Sequence, residues 1–196
     1  MTQDYATRTG KIAFQGTFGA FSDMSCRSMF PQMETFPCTT FEDAFLALEN
    51  GTVDLAMIAV DNSLAGRVAD VHHLLPQKKM FIVGEHFQPV SMCLLAVKGA
   101  QLSDLKDVHS HTHALPQCRK VIKELGLIPH VHADTAGAAA DVAQWKDKSQ
   151  CAIASKLAAE IYDLDVLREG IQDIPNNTTR FLVFSRDMER PVKDSG

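Results

Sequence analysis

Several features are scarce in this chain of 196 residues, and each scarcity removes a class of function. No apolar stretch approaches the ~20 residues needed to cross a bilayer, so no membrane span is predicted. Lys and Arg never form a dense run, and the formal net charge is −5, which argues against non-specific binding to nucleic acid. Residues 1–10 are polar and lack the apolar core of a secretory signal. The cysteines, Cys26, Cys38, Cys93, Cys118 and Cys151, are scattered, odd in number and never form a Cys-x-x-Cys pair. They read as reduced, small core residues of a cytoplasmic protein. Gly-x-Gly-x-x-Gly, a phosphate loop with Gly-Lys-Ser/Thr, and a Gly-x-Ser-x-Gly elbow are all absent, which removes nucleotide binding and the commonest serine-hydrolase design.

What is present is an ordinary globular balance, 45% hydrophobic and 22% charged, with length for one large domain or two small lobes. Residues 1–10 are expected to be a disordered lead-in. Lys11-Ile12-Ala13-Phe14 predicts a short strand, and Gly16 and Gly19 suit a tight turn into a helix over residues 22–30, which Pro31 follows. Thr40 is the expected N-cap of a second helix, with Phe41, Ala44, Phe45 and Leu48 on one face. The continuous apolar run over residues 54–60 predicts a strand covered on both faces. It empties into the polar loop Asp61-Asn62-Ser63-Leu64-Ala65-Gly66-Arg67. Residues 80–97 are extended in character but interrupted, and predict two strands with a crossing between them.

The pattern then restarts. A shift of 95 positions lays Gly16-Thr17 on His111-Thr112, Thr40 on Thr135, and Ile58-Ala59 on Ile153-Ala154. Both halves read strand, turn, helix, strand, Thr-capped helix, apolar strand, helix, which indicates a repeated architecture. The expectation is an α/β protein of two lobes forming a hinged clamp, with two crossing strands at the hinge. Residues 11–88 plus 178–188 are assigned to lobe 1, residues 89–177 to lobe 2, and residues 189–196 to a tail or linker.

In such a plan the ligand edge collects loops at strand C-termini, here residues 16–22, 61–67, 110–117 and 177–181. They carry hydroxyls, amides and a few cations, with few carboxylates apart from Asp61, which suits a small polyanion. Asn176-Asn177-Thr178-Thr179-Arg180 brings two amides, two hydroxyls and a guanidinium together where a strand begins. It could hold an anion and offer it a hydroxyl proton, although Pro-Asn-Asn is also ordinary turn chemistry. His109, His111 and His113 would share one face of a strand, near His130 and His132, and three imidazoles can bind zinc. No carboxylate stands behind them and the segment turns by Ala114, so no metal is expected. Ser110 with His111, or Cys118, could be drawn as a nucleophile, but Cys118 falls inside a helix pattern.

Taken together, four segments resemble the prephenate dehydratase family. Its early Gly-x-x-Gly-x-x-Ser turn resembles Gly16-Thr17-Phe18-Gly19-Ala20-Phe21-Ser22, and its Glu-Asn-Ser-x-x-Gly-x-Val segment is similar to Asp61-Asn62-Ser63-Leu64-Ala65-Gly66-Arg67-Val68. Its Ser-His-x-x-Ala-Leu-x-Gln-Cys segment is similar to Ser110-His111-Thr112-His113-Ala114-Leu115-Pro116-Gln117-Cys118, and its Asn-x-Thr-Arg-Phe segment to Asn177-Thr178-Thr179-Arg180-Phe181. The four occur in order, across residues 11–185.

The resemblance implies a fold like the type 2 periplasmic binding proteins and decarboxylative dehydration of prephenate to phenylpyruvate, a step toward phenylalanine. It implies no cofactor. It makes Thr179 the catalytic proton donor and Asn62, Ser63, Ser110, His111, Gln117, Thr178, Arg180 and Phe181 substrate contacts, with Arg180 pairing a carboxylate or holding the turn. A homodimer is expected by the same analogy, with neither nucleic acid nor membrane as partner. Asp61 in place of Glu, Pro116 beside the cleft and His113 before Ala114 depart from the pattern and bear on the choice between prephenate and arogenate. Most members carry a C-terminal ACT regulatory domain, and no counterpart is expected here. The alternatives on the same fold are arogenate dehydratase, which makes phenylalanine directly, and a non-catalytic module that binds a small anion.

Overall fold

The computed structural model describes residues 5–75 and 79–188. In chain order the elements are β1 (Gly10–Gln15), α1 (Phe21–Met29), β2 (Met33–Cys38), α2 (Phe41–Glu49), β3 (Leu55–Asn62), β4 (Gly66–Arg67), α3 (Ala69–Leu74) and β5 (Phe81–Pro89). They continue with β6 (Cys93–Val97), β7 (Asp107–His111), α4 (Arg119–Glu124), β8 (Ile128–His132), α5 (Thr135–Trp145), β9 (Gln150–Ala154), α6 (Lys156–Ile161), β10 (Leu164–Arg168) and β11 (Thr178–Ser185). Two compact units divide the chain. The first takes the described residues within Met1–Gln15, Ser22–Gln88 and Thr179–Gly196, and the second takes Gly16–Phe21 and Pro89–Thr178.

The first unit is a sheet in the order β2-β1-β3-β11-β5, with β4 hairpinned onto β3. β1 is parallel to β2 and β3, whereas β11 runs antiparallel to β3. The apolar run of β3 follows from burial on both faces. Ala56, Ile58 and Val60 enter one core with Phe45, Leu48 and Phe184, while Leu55 and Met57 enter another with Phe14, Phe30 and Phe181. Period two divides a single hydrophobic run between two cores. Thr40 caps α2 as expected: its Oγ1 accepts from the Asp43 N–H at 3.0 Å, and its own N–H donates to Asp43 Oδ2 at 3.1 Å.

The second unit is a sheet in the order β10-β6-β9-β7-β8, with β7 parallel to β8 and β9, and β6 antiparallel to β9 and β10. Its strands also feed two cores. Leu94, Ala96, Cys151 and Ile153 pack on one side, and Cys93, Leu95, Ala152 and Ala154 on the other. Thr135, aligned above with Thr40, is the first helical residue of α5 and not its cap. Asp134 does the capping, its Oδ1 accepting from the Gly137 N–H at 2.6 Å.

Two boundaries differ from those read in the sequence. Residues 5–10 are ordered parts of the first unit: Tyr5–Thr7 form a 3-10 turn, the Tyr5 hydroxyl donates to Val83 O at 2.9 Å, and its ring meets Phe30 edge-on at 5.1 Å. Residues 1–4 and the expected tail at 189–196 lie outside the described residues. The Gly16–Phe21 turn belongs to the second unit because its polar groups are satisfied there. Thr17 Oγ1 donates to Asp134 Oδ2 at 2.8 Å, Tyr162 Oη donates to Phe18 O at 2.8 Å, and Ser155 Oγ donates to Gly19 O. Gly19, at φ +88°, is required there: a Cβ would lie 2.8 Å from Ala158 Cα.

Candidate active site

In the first unit, β11 brings Thr179 opposite Asn62 and Arg180 opposite Asp61, and then the register slips, so that Phe181 faces Ala59 and Val60 is left over. Such a bulge twists the pair and re-aims the side chains beside it. Thr179 is half-buried, whereas Phe181, two residues on, is 1% exposed.

The amide of Asn62 has its orientation determined by the turn that follows. Its Oδ1 accepts from the Leu64 N–H at 3.0 Å and the Ala65 N–H at 2.9 Å, so it must be the oxygen. The NH2 group therefore faces Thr179, and Nδ2 donates to Thr179 Oγ1 at 3.0 Å. A hydroxyl oxygen that accepts from an amide keeps its own proton to give, and among the described residues no acceptor takes it. Ser63, next in the same turn, is exposed.

Arg180 points elsewhere. Its Nε and Nη2 donate to Glu85 Oε2 at 3.0 and 2.8 Å, and its Cζ lies 5.9 Å from the centre of the Phe87 ring. The pair ties β11 to β5 at the surface of the first unit. Phe181, expected at the substrate, is a core residue beside Phe14, Phe30 and Met57.

In the second unit the corresponding strand end is that of β7. Ser110 is fully buried and its Oγ donates to Ile153 O at 2.6 Å, tying β7 to β9. Its proton is thus engaged by the backbone, and it ties the strands. His111, half-buried, accepts at Nδ1 from the His113 N–H at 3.3 Å. Burial pushes the His111 pKa below the usual 6.5, His113 adds to the effect, and Asp134 opposes it. Gln117 donates from Nε2 to His113 O at 2.8 Å and accepts at Oε1 from Asn177 Nδ2 at 2.7 Å. Asn177 is 3% exposed, and its carbonyl accepts from the Val90 N–H at 2.8 Å. Asn177 is thus the bracket that holds Gln117. Thr178 is half-buried at the first position of β11.

His109, His111 and His113 do not share a face. β7 ends at His111, and His113 lies in the turn beyond, its ring 5.2 Å from that of His111. Among the described residues no three His, Cys, Asp or Glu side chains are grouped to hold a metal ion. Cys118 is buried and its thiol is pushed up to about 12 by burial and then by Asp173, so it is no thiolate at neutral pH.

Two functional partners escaped the sequence reading. Glu85 takes Arg180 from 95 residues away, and Asn177 reaches Gln117 across 60. The local hint was that Gly84, Glu85 and His86 interrupt the apolar start of that strand.

A family model described as prephenate dehydratase matches residues 12–189. Among curated relatives, a bifunctional N-acyl-homoserine lactone acylase/prephenate dehydratase of Komagataeibacter europaeus is 51% identical over 175 residues, 89% of this chain and 62% of the relative. An arogenate dehydratase/prephenate dehydratase of Arabidopsis thaliana is 42% identical over 190 residues, 94% of this chain and 48% of the relative. The chain therefore spans about half to three-fifths of the length of these relatives. Among solved structures, a prephenate dehydratase from Arthrobacter aurescens in complex with L-Phe superposes with a TM-score of 0.85 at 28% identity, over 93% of this chain and 62% of that one. With a match over nearly every described residue, and its motif residues at the strand ends of two sheets, this chain belongs to the prephenate dehydratase family.

Proposed function

We propose that the chain catalyses the decarboxylative dehydration of prephenate to phenylpyruvate, with Thr179 as proton donor. The observation that carries this reading is the Thr179 hydroxyl, which Asn62 holds through its oxygen so that its proton is left to give.

Prephenate has two carboxylates and a ring hydroxyl. The ring carboxylate leaves as carbon dioxide, the electrons of its C–C bond complete the aromatic ring, and the C4–O bond breaks. Thr179 gives its proton to the departing oxygen, which leaves as water, and solvent restores that proton. Aromatisation drives the step, so a weakly acidic hydroxyl at the leaving oxygen is sufficient. Asn62 orients the donor, and Ser63 follows it in the same turn of the first unit, while His111, Gln117 and Thr178 are the polar groups that the family motifs place in the second. A neutral His111, which its burial favours, offers an N–H without adding charge.

Relatives bear both dehydratase names, so arogenate, with an amino group in place of the keto group, is the alternative substrate. The acylase in one relative's name is a further reading. It has less support, because Cys118 and Cys151 are pushed up to about 12 by burial and the Ser110 hydroxyl is buried. Purified protein should be assayed in parallel for phenylpyruvate from prephenate, for phenylalanine from arogenate and for hydrolysis of an N-acyl-homoserine lactone. Turnover is expected with prephenate. Turnover of arogenate alone would transfer the assignment, and anion binding with no turnover would favour a binding module.

A further inference from the structure

Apart from the residues above, the second unit gathers another polar cluster where β7, β8, β9 and α5 meet. His109 on β7 stacks on His130 of β8, with ring centres 4.8 Å apart and planes 16° from parallel. It meets Trp145 of α5 edge-on at 4.8 Å and His132 of β8 edge-on at 5.0 Å. The charged and titratable groups facing it are His130 and His132 on β8 and Asp107 on β7, with Asp141 of α5 behind His132.

The protons of this cluster can be assigned in sequence. Gln150 Nε2 lies 3.2 Å from Asp107 Oδ2, a group that only accepts, so that atom is the NH2 and Gln150 Oε1 faces His109. His109 Nε2, 2.7 Å from Oε1, must then donate. A neutral His109 keeps a lone pair on Nδ1, and His132 Nε2, 3.0 Å away, must carry the hydrogen between them. The other nitrogen of His132 lies 3.3 Å from Asp141 Oδ2, which again only accepts. All these contacts are satisfied when a single hydrogen lies between His109 Nδ1 and His132 Nε2, and burial favours the arrangement in which His109 is the neutral ring.

We propose that His109, His132 and Asp141 form a pH-gated latch fastening the edge strand β8 and helix α5 to β7, closed while one hydrogen lies between His109 Nδ1 and His132 Nε2 and opened when a second proton enters that contact. A second proton in the 3.0 Å contact turns it into two N–H groups head-on. β8 depends on the latch because four of its five residues are exposed and it pairs with β7 alone. Burial favours the neutral His109, and the charges of His132 and His130 act the same way, against Gln150 and Asp107. The His109 pKa is therefore depressed on folding. Its contribution is fully present above the ordinary 6.5 and is lost as pH falls from there toward the folded value. β7 leads directly into Ser110 and His111. Any effect of the latch on turnover rests on the dehydratase reading, whereas its effect on β8 does not.

Two measurements test the latch on the intact protein. Imidazole nitrogen spectra near neutral pH should show a neutral His109 with its hydrogen on Nε2. Amide exchange over residues 107–111 and 128–132, corrected for intrinsic rates, should lose protection by up to about tenfold per pH unit below about 6.5. In His109→Gln that loss should disappear, whereas His73→Gln in the first unit should retain it. A neutral His109 with its hydrogen on Nδ1, or the same acid-induced loss in His109→Gln, would overturn the latch. The spectra decide the question even if the variant fails to fold.

Discussion

In the first unit β1 lies between β2 and β3, parallel to both, with β11 antiparallel on the far side of β3. In the second β7 lies between β8 and β9, parallel to both, with β6 antiparallel on the far side of β9. One strand plan is thus filled in two ways. Phe14, Phe30, Phe45 and Phe181 are fully buried in the first unit. One core of the second is built on Ala136, Ala138, Ala139, Ala152, Ala154, Ala158 and Ala159, and none of its fully buried large side chains is aromatic. Aromatic rings bury much area per residue, whereas alanine lets a helix backbone come close to the sheet. The edges differ as well. β2 has residues buried in the core, among them Met33 and Cys38, but β8 is exposed along most of its length and sets His132 against His109 of β7. The plan tolerates either filling, and the chemistry resides in what the strand ends carry.

The sharpest contrast is between two hydroxyls at those ends. Thr179→Val should reduce kcat by about 10²–10⁴-fold, with Thr179→Ser milder, since a positioned acid contributes on that scale. Wild-type kcat in Thr179→Val would remove the proton-donor role. Ser110→Ala should instead lower the melting temperature, costing about 1 kcal/mol for one lost hydrogen bond to Ile153 O.

Packing comes next. Phe45→Ala should cost about 3–5 kcal/mol in denaturant titration, through a cavity that its neighbours cannot fill. The opposite substitution tests the second unit: Ala139→Leu should cost about 1–3 kcal/mol by overpacking the α5 face. If Ala139→Leu were neutral, the close packing inferred from the alanines would be wrong.

The smallest effect is at alkaline pH. Cys118 and Cys151 are pushed from 9.0 up to about 12, chiefly by burial. An unfolded thiol loses its proton first, so stability should fall as pH rises above 9.0 toward the folded values. A thiol reagent at about pH 8 should label the native protein hardly at all. Rapid labelling of native protein would contradict that burial.

Elements, caps and the repeated plan were legible in the sequence because each is written in local periodicity. The run at residues 55–60 is apolar throughout since its alternate residues enter two cores, and Thr40 meets Asp43 three residues on. The motif residues of the site were legible as well, Thr179 and Asn62 among them. What each side chain does with its hydrogen bonds was not. Arg180 is taken by Glu85, Ser110 by Ile153 and His109 by His132, at separations of 95, 43 and 23 residues. Local sequence carries no record of which distant carboxylate, carbonyl or ring will be adjacent, because strand order in the sheet decides it. Residue types alone thus determined where chemistry was available. Only the tertiary structure decided that Thr179 keeps a proton to give, while Ser110 spends its proton on the backbone and Arg180 its charge on Glu85.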